Sequence, residues 1–153
     1  MFDSRSDYNI VIGEAQPKTA ISACRAIWVV LQSSTMNEQA IAVRREQYRR
    51  ALSNTVEQIV EALARNPEVE RAFLFGSYAQ GRCDLRTDLD VLIVMTSSLD
   101  FVTRTAEMYR YLSSPVDLDL IVYTPDELER CKDRGFIRQA LETGQVIYEK
   151  QTI

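Results

Sequence analysis

Two stretches of this chain read Asp88-Leu-Asp-Val-Leu-Ile-Val-Met95 and Val116-Asp-Leu-Asp-Leu-Ile-Val-Tyr123. Each is a short aliphatic run broken only by a pair of aspartates two residues apart. Continuous apolar runs of this length suit strands of a sheet covered on both faces. Such a sheet needs helices to cover it, so the runs commit the chain to an α/β or α+β domain. Successive strand side chains point to opposite faces, which puts Asp88 and Asp90 on one face, about 6.6 Å apart along the strand. Asp117 and Asp119 are paired in the same way. An isolated pair of this kind is more often a solvated strand end. Two such pairs, each embedded in aliphatics on a separate strand, are hard to explain as surface charge. If the strands are neighbours, at least three carboxylates converge. Like charges at a buried strand end cannot all stay ionised unless something neutralises them. A hard divalent cation such as Mg²⁺ does so and keeps positions open for phosphate. Carboxylates gathered around two metal ions are what phosphoryl or nucleotidyl transfer requires.

The rest of the chain supplies the covering helices. Ile21, Cys24, Trp28 and Leu31 give a short helix over 20–31, which Ser33-Ser34-Thr35 interrupts. From Met36 a long helix is expected, with Ala40, Val43, Gln47, Ala51, Val56, Ile59 and Leu63 on one face and Asn66-Pro67 as its stop. A strand over 71–75 ends at Gly76. A helix over 99–112, capped by Ser98, separates the two aspartate-bearing strands. Thr124-Pro125-Asp126-Glu127 opens a further helix with a threonine cap, proline at the first position and a glutamate completing the box. Phe136, Ile137, Ala140 and Leu141 mark another helical face, which ends at Gly144, and a last short strand covers 145–148. Residues 1–35 differ in composition from the remainder of the chain and are expected to be a dispensable extension, with the working domain over 36–153.

With 153 residues this is a single domain's worth of chain, long enough to hold a core without disulfides or metals. It contains no histidine, which excludes Ser-His-Asp and Cys-His catalysis and any imidazole zinc site. Acid–base chemistry must then come from carboxylates, lysine, tyrosine or a metal. A net charge of -4 gives no general polyanion-coating surface, so stable nucleic-acid binding is not expected. Cys24, Cys83 and Cys131 are scattered and odd in number, which suits a reducing cytoplasm. The longest apolar run, Ala26 to Leu31, has six residues, far below the ~20 that span a bilayer. Arg44, Arg45, Arg49 and Arg50 cluster on the long helix, as a solvated face or a docking edge for an acidic partner.

Gly76-Ser77, at the end of a strand, offers backbone N–H groups and a hydroxyl where a phosphate could rest. Gly76 and Gly81 followed by Arg82 and Cys83 nearly spell a P-loop. That motif needs lysine and then serine or threonine at the last two positions, and neither is present.

Taken together, Gly76-Ser77, a ten-residue spacer, Asp88-x-Asp90 and a third acid on a later strand resemble the signature of the DNA polymerase β-like nucleotidyltransferase superfamily. Within it the chain is similar to the minimal nucleotidyltransferase (MNT) proteins, often paired with HEPN-domain toxins. Val122 to Leu128 and Ala140 to Tyr148 resemble their C-terminal halves. The resemblance implies a small mixed sheet with flanking helices and transfer of AMP from ATP to a hydroxyl. It implies Gly76 and Ser77 as triphosphate holders, Asp88 and Asp90 as ligands of two Mg²⁺ ions, and Asp119 as ligand of the catalytic ion and helper in deprotonating the acceptor. Asp119 is preferred to Asp117 because the family's third aspartate precedes the Ile-Val-Tyr-Thr-Pro stretch in the same way. Two positions depart from the pattern: Gln80 stands where arginine is usual and Thr87 where serine is usual. The implied partner is a HEPN ribonuclease toxin, modified on a tyrosine. The rival readings are an antitoxin that acts by occlusion with an idle site and a small-molecule nucleotidyltransferase.

Overall fold

The structure, a computed structural model, describes the backbone of residues 18–151 and the side chains of residues 36–151. In order, its elements are α1 (Lys18–Arg65), β1 (Val69–Phe75), α2 (Gly76–Ala79), β2 (Leu89–Met95), α3 (Phe101–Leu112), β3 (Leu118–Tyr123), α4 (Pro125–Cys131), α5 (Gly135–Thr143) and β4 (Gln145–Glu149). The chain divides into two compact units, Met1–Ala40 and Ile41–Ile153. All four strands lie in the second.

The two aspartate-bearing runs are neighbouring strands. The sheet order is β3-β2-β1-β4, with β2 and β3 parallel and the other pairs antiparallel. The sheet is therefore mixed, as expected, and β2 lies inside it with every residue but Asp90 buried. One face carries Ala72, Leu74, Val91, Ile93, Leu120 and Val122 against Leu52, Ile59 and Leu63 of α1 and Met108 of α3. The other face carries Phe73, Phe75, Leu92 and Val94 against Cys131 of α4 and Ile137 and Ala140 of α5. Apolar side chains on both faces of one strand are why its sequence is an unbroken aliphatic run.

Three local expectations are corrected. Ser33-Ser34-Thr35 does not interrupt a helix, because α1 runs through it. Serine and threonine cost a helix only a few tenths of a kcal/mol each, far less than glycine or proline. The expected face of α1 is also displaced. Val43 is 56% exposed, and Ala40 and Gln47 are exposed as well, whereas Leu52, Thr55, Ile59 and Leu63 are buried. A seven-residue strand spans about 23 Å, which about sixteen helical residues already match, so residues 41–47 lack a strand to cover. Finally, Asp100 rather than Ser98 caps α3, accepting from the N–H groups of Val102 (3.0 Å) and Thr103 (3.2 Å). The Leu99 carbonyl just before it is taken by the Arg104 guanidinium at 2.7 Å. The Thr124–Glu127 capping box forms as the sequence predicts.

Arg104 is 2% exposed yet charged. Besides Leu99 it donates to the Val122 carbonyl through Nε and Nη2, both at 3.2 Å, and pairs with Glu127. Glu127 in turn accepts from the Thr124 N–H at 2.9 Å. One side chain thus joins α3, the end of β3 and the first turn of α4. A buried charge persists only where its donors are satisfied in this way.

Candidate active site beside the parallel strand pair

Of the predicted residues, Gly76, Asp90 and Asp119 come together where β1 ends and β2 and β3 begin, with Asp88 just before β2 and Ser77 next to Gly76 in the turn. Asp90 lies across from Phe75 on β1 and across from Asp119 on β3. In a parallel pair, register partners point to the same face, so Asp90 and Asp119 face one side together. That is the side of Leu92, Phe75 and α5. Asp88 and Asp90 are half-buried, while Asp117 and Asp119 are exposed. Burial pushes the Asp90 carboxyl above the usual carboxylate range, and the charges of Asp119 and Asp88 push it further. The two candidates for the third acid separate here. Asp119 bears on Asp90, whereas Asp117 bears on the phenol of Tyr48, which burial and then Asp117 and Asp88 raise.

Gly76 explains why this corner tolerates no side chain. Its φ is +72°, in the left-handed region, and a Cβ there would lie 2.0 Å from Oδ2 of Asp90. The glycine therefore serves both the turn from β1 into α2 and the close approach of a carboxylate. The turn is closed by backbone bonds: Gln80 N–H to the Gly76 carbonyl at 3.3 Å, Gly81 N–H to Tyr78 at 2.9 Å, and Arg82 N–H to Ser77 at 3.0 Å. Ser77 is half-buried within it.

The loop leading into β2 is equally well tied. Thr87 is 4% exposed, and its Oγ1 accepts from the Asp84 N–H at 2.9 Å. Its carbonyl accepts from the Tyr48 hydroxyl at 2.9 Å. A threonine supplies the hydroxyl this turn uses as well as a serine would. Tyr48 escaped the sequence reading because a tyrosine on a helix carries no signal separable from packing.

A cavity of about 280 Å³ opens beside Gly76 and Asp90, lined further by Phe75, Gln80, Phe136, Gln139, Ala140 and Thr143. Phe136 was expected to share the buried face of α5 but is 59% exposed. It sits edge-on to Phe75 at 5.6 Å and leaves a ring surface at the cavity. Gln139 and Thr143, one helical turn apart on α5, are site-lining residues that the sequence reading missed.

Among the described residues no three acidic or cysteine side chains stand close enough together to enclose a metal ion unaided. The donor chemistry nevertheless suits Mg²⁺, which takes hard oxygen ligands and binds through one or two carboxylates together with substrate phosphates. Asp88 and Asp90 with Asp119 opposite are such a set, and their mutual repulsion is what a cation would relieve.

A model of the polymerase beta nucleotidyltransferase family matches residues 57–153. A Methanocaldococcus jannaschii protein assigned as a protein adenylyltransferase, MJ0604, is 31% identical over 80 residues, covering 52% of this chain and 79% of that protein. A nucleotidyltransferase structure from Sulfolobus solfataricus is 23% identical with a TM-score of 0.48, covering 69% of this chain and 86% of its own. A chain in the structure of a tri-AMPylated Shewanella oneidensis HEPN toxin in complex with an MNT antitoxin is 21% identical, with a TM-score of 0.41 and coverage of 65% and 73%.

Proposed function

The chain belongs to the polymerase beta nucleotidyltransferase family, and from that premise we propose that it moves AMP from ATP to a tyrosine hydroxyl of a HEPN ribonuclease toxin, acting as its antitoxin. The observation that carries the reading is the register of Asp90 with Asp119 beside a glycine that Asp90 itself forbids from carrying a side chain. A protein acceptor is supported by the likeness to the M. jannaschii adenylyltransferase. The HEPN partner is supported by the resemblance of residues 122–128 and 140–148 to MNT proteins.

In this reading Gly76 and Ser77 hold the triphosphate. Asp119 takes the proton of the acceptor hydroxyl as its oxygen attacks the α-phosphorus. The bond from that phosphorus to the bridging oxygen breaks, and the electron pair leaves on pyrophosphate. Asp88 and Asp90 would hold two Mg²⁺ ions, with Asp119 on one of them, and these supply charge neutralisation when bound. The cavity beside Phe136 takes the rest of the nucleotide. Most of the rate enhancement would be positioning and electrostatics. The free thiols Cys83 and Cys131 fit work in a reducing cytoplasm, and among the described residues no helix is long and apolar enough to cross a membrane.

The test is to incubate a small amount of the protein with ATP, Mg²⁺ and an excess of the HEPN ribonuclease. Intact-mass spectrometry should show one or a few added AMP masses as ribonuclease activity disappears. Neutralisation that needs equal amounts of both proteins and proceeds without ATP would instead establish occlusion.

A further inference from the structure

The 280 Å³ cavity has an electrostatic deficit. Its lining holds the Asp90 carboxylate, two amides and a hydroxyl, but among the described residues no cationic side chain. A nucleoside triphosphate is a polyanion, and an anion brought beside carboxylates needs positive charge close by. On α5, Arg138 lies near Glu142 at 3.8 Å.

Arg82 is different. Its backbone N–H is bonded to Ser77, inside the turn that adjoins the cavity. Its Nη2 donates to Oε1 of Gln80 at 3.0 Å, and Gln80 lines the cavity. Among the described residues Arg82 and Arg49 form no ion pair. The two arginines share a second cleft with Tyr78 and Cys83 of the α2 turn and its following loop and with Gln145 at the start of β4. Two unpaired guanidinium groups in one cleft repel each other, which an anion would relieve. A guanidinium also presents donors in a fork that matches phosphate oxygens.

We propose that Arg82, positioned by Gln80 and supported by Arg49, is the cation that grips the β- and γ-phosphates of the incoming nucleoside triphosphate. The role rests on the nucleotidyltransferase reading above and goes beyond it by assigning a binding residue outside Gly76, Ser77 and the aspartates. Gln80 is a positioning residue: its amide oxygen aims the guanidinium without neutralising it. A glutamate in its place would pair with Arg82 and cancel the charge that the phosphates need.

The experiment measures binding of ATP, AMP and tripolyphosphate to the full chain in Mg²⁺ by calorimetry. Loss of a charge-assisted phosphate contact is worth about tenfold in affinity or more. Arg82→Ala should therefore weaken ATP and tripolyphosphate by at least about tenfold and leave AMP unchanged. Gln80→Glu should weaken ATP and tripolyphosphate by a similar factor. Arg82→Lys, which keeps the charge but loses the fork, should fall between. Arg50→Ala, whose guanidinium already pairs with Glu46 at 3.0 Å, is the surface control and should bind as wild type does. Unchanged ATP binding by Arg82→Ala would overturn the proposal, as would equal loss of ATP and AMP, since that marks general damage to the site. If the wild-type chain binds no nucleoside triphosphate, the nucleotidyltransferase reading itself fails and this assignment falls with it.

Discussion

Gly76→Ala is a perturbation whose cost can be built from the geometry. At φ +72° an alanine occupies the left-handed region, which costs about 1–2 kcal/mol. Its Cβ would start 2.0 Å from Oδ2 and 2.8 Å from Cγ of Asp90, so the carboxylate must turn away. An off-rotamer side chain adds about 0.5–1.5 kcal/mol. The combined loss is about 2–3 kcal/mol, a fall in Tm of roughly 5–10 °C for a chain of this size. Gly81 separates the two contributions. Its φ is +81°, but nothing lies within 4 Å of where its Cβ would be. Gly81→Ala should therefore show the backbone cost alone. Combining Gly76→Ala with Asp90→Ala removes the collision, so the glycine substitution should cost about 1 kcal/mol less in that background. Thermal unfolding followed by circular dichroism reads the wild type, the three single variants and the double variant, and a transfer assay on Gly76→Ala should show loss of activity. Equal costs of Gly76→Ala in both backgrounds would refute the argument that glycine is needed here to make room for Asp90.

Three further outcomes are expected. Asp90 has a raised carboxyl, so the folded state holds its proton more tightly than the unfolded state. Its contribution to stability is greatest below the unfolded pKa and is lost as pH rises through the folded value. Asp90→Asn should accordingly raise the Tm of the metal-free protein at neutral pH, with the gain vanishing under acid conditions, while abolishing transfer; a pH series of melts checks both. Arg104→Met leaves the Val122 and Leu99 carbonyls without their donor and half-buried Glu127 without its cation, and an unsatisfied buried acceptor costs about 1–3 kcal/mol, visible as a lowered urea midpoint. We also propose that residues 1–35 are dispensable, so a chain starting at Met36 should keep its melting temperature and transfer activity; insoluble or inactive protein would show the segment to be structural.

The parts of the fold legible in the sequence are those where one physical demand dominates. Asp88–Met95 reads as a buried strand because both faces are covered, and Thr124–Glu127 reads as a helix start because its cap is wholly local. The Asp88/Asp90 and Asp117/Asp119 pairs marked the candidate site, but the meeting of Asp90 with Asp119 depended on β2 and β3 being neighbours, a tertiary fact. The expected Ser98 cap gives way to Asp100, whose carboxylate is the group that reaches the Val102 and Thr103 N–H groups. The role of Arg104 could not be read either, since nothing local distinguishes an arginine bound to a distant strand from one in water. Likewise the exposure of Val43 and Gln47 on α1 follows from the length of the sheet, which the helix's own periodicity does not encode.

The Arg104 contacts have a bearing on solubility. β3 is an outer strand of the sheet, and an unpaired strand edge is a template for another chain. Here α3 occupies its polar groups with side chains: the Tyr109 hydroxyl accepts from the Leu120 N–H at 2.8 Å, and Arg104 donates twice to the Val122 carbonyl. Two bonds of the ladder that a fifth strand would need are thus already spent. The helix that covers the sheet thus also shields part of the margin along Leu-Asp-Leu-Ile-Val-Tyr, which leaves another copy of the chain fewer free groups to pair with.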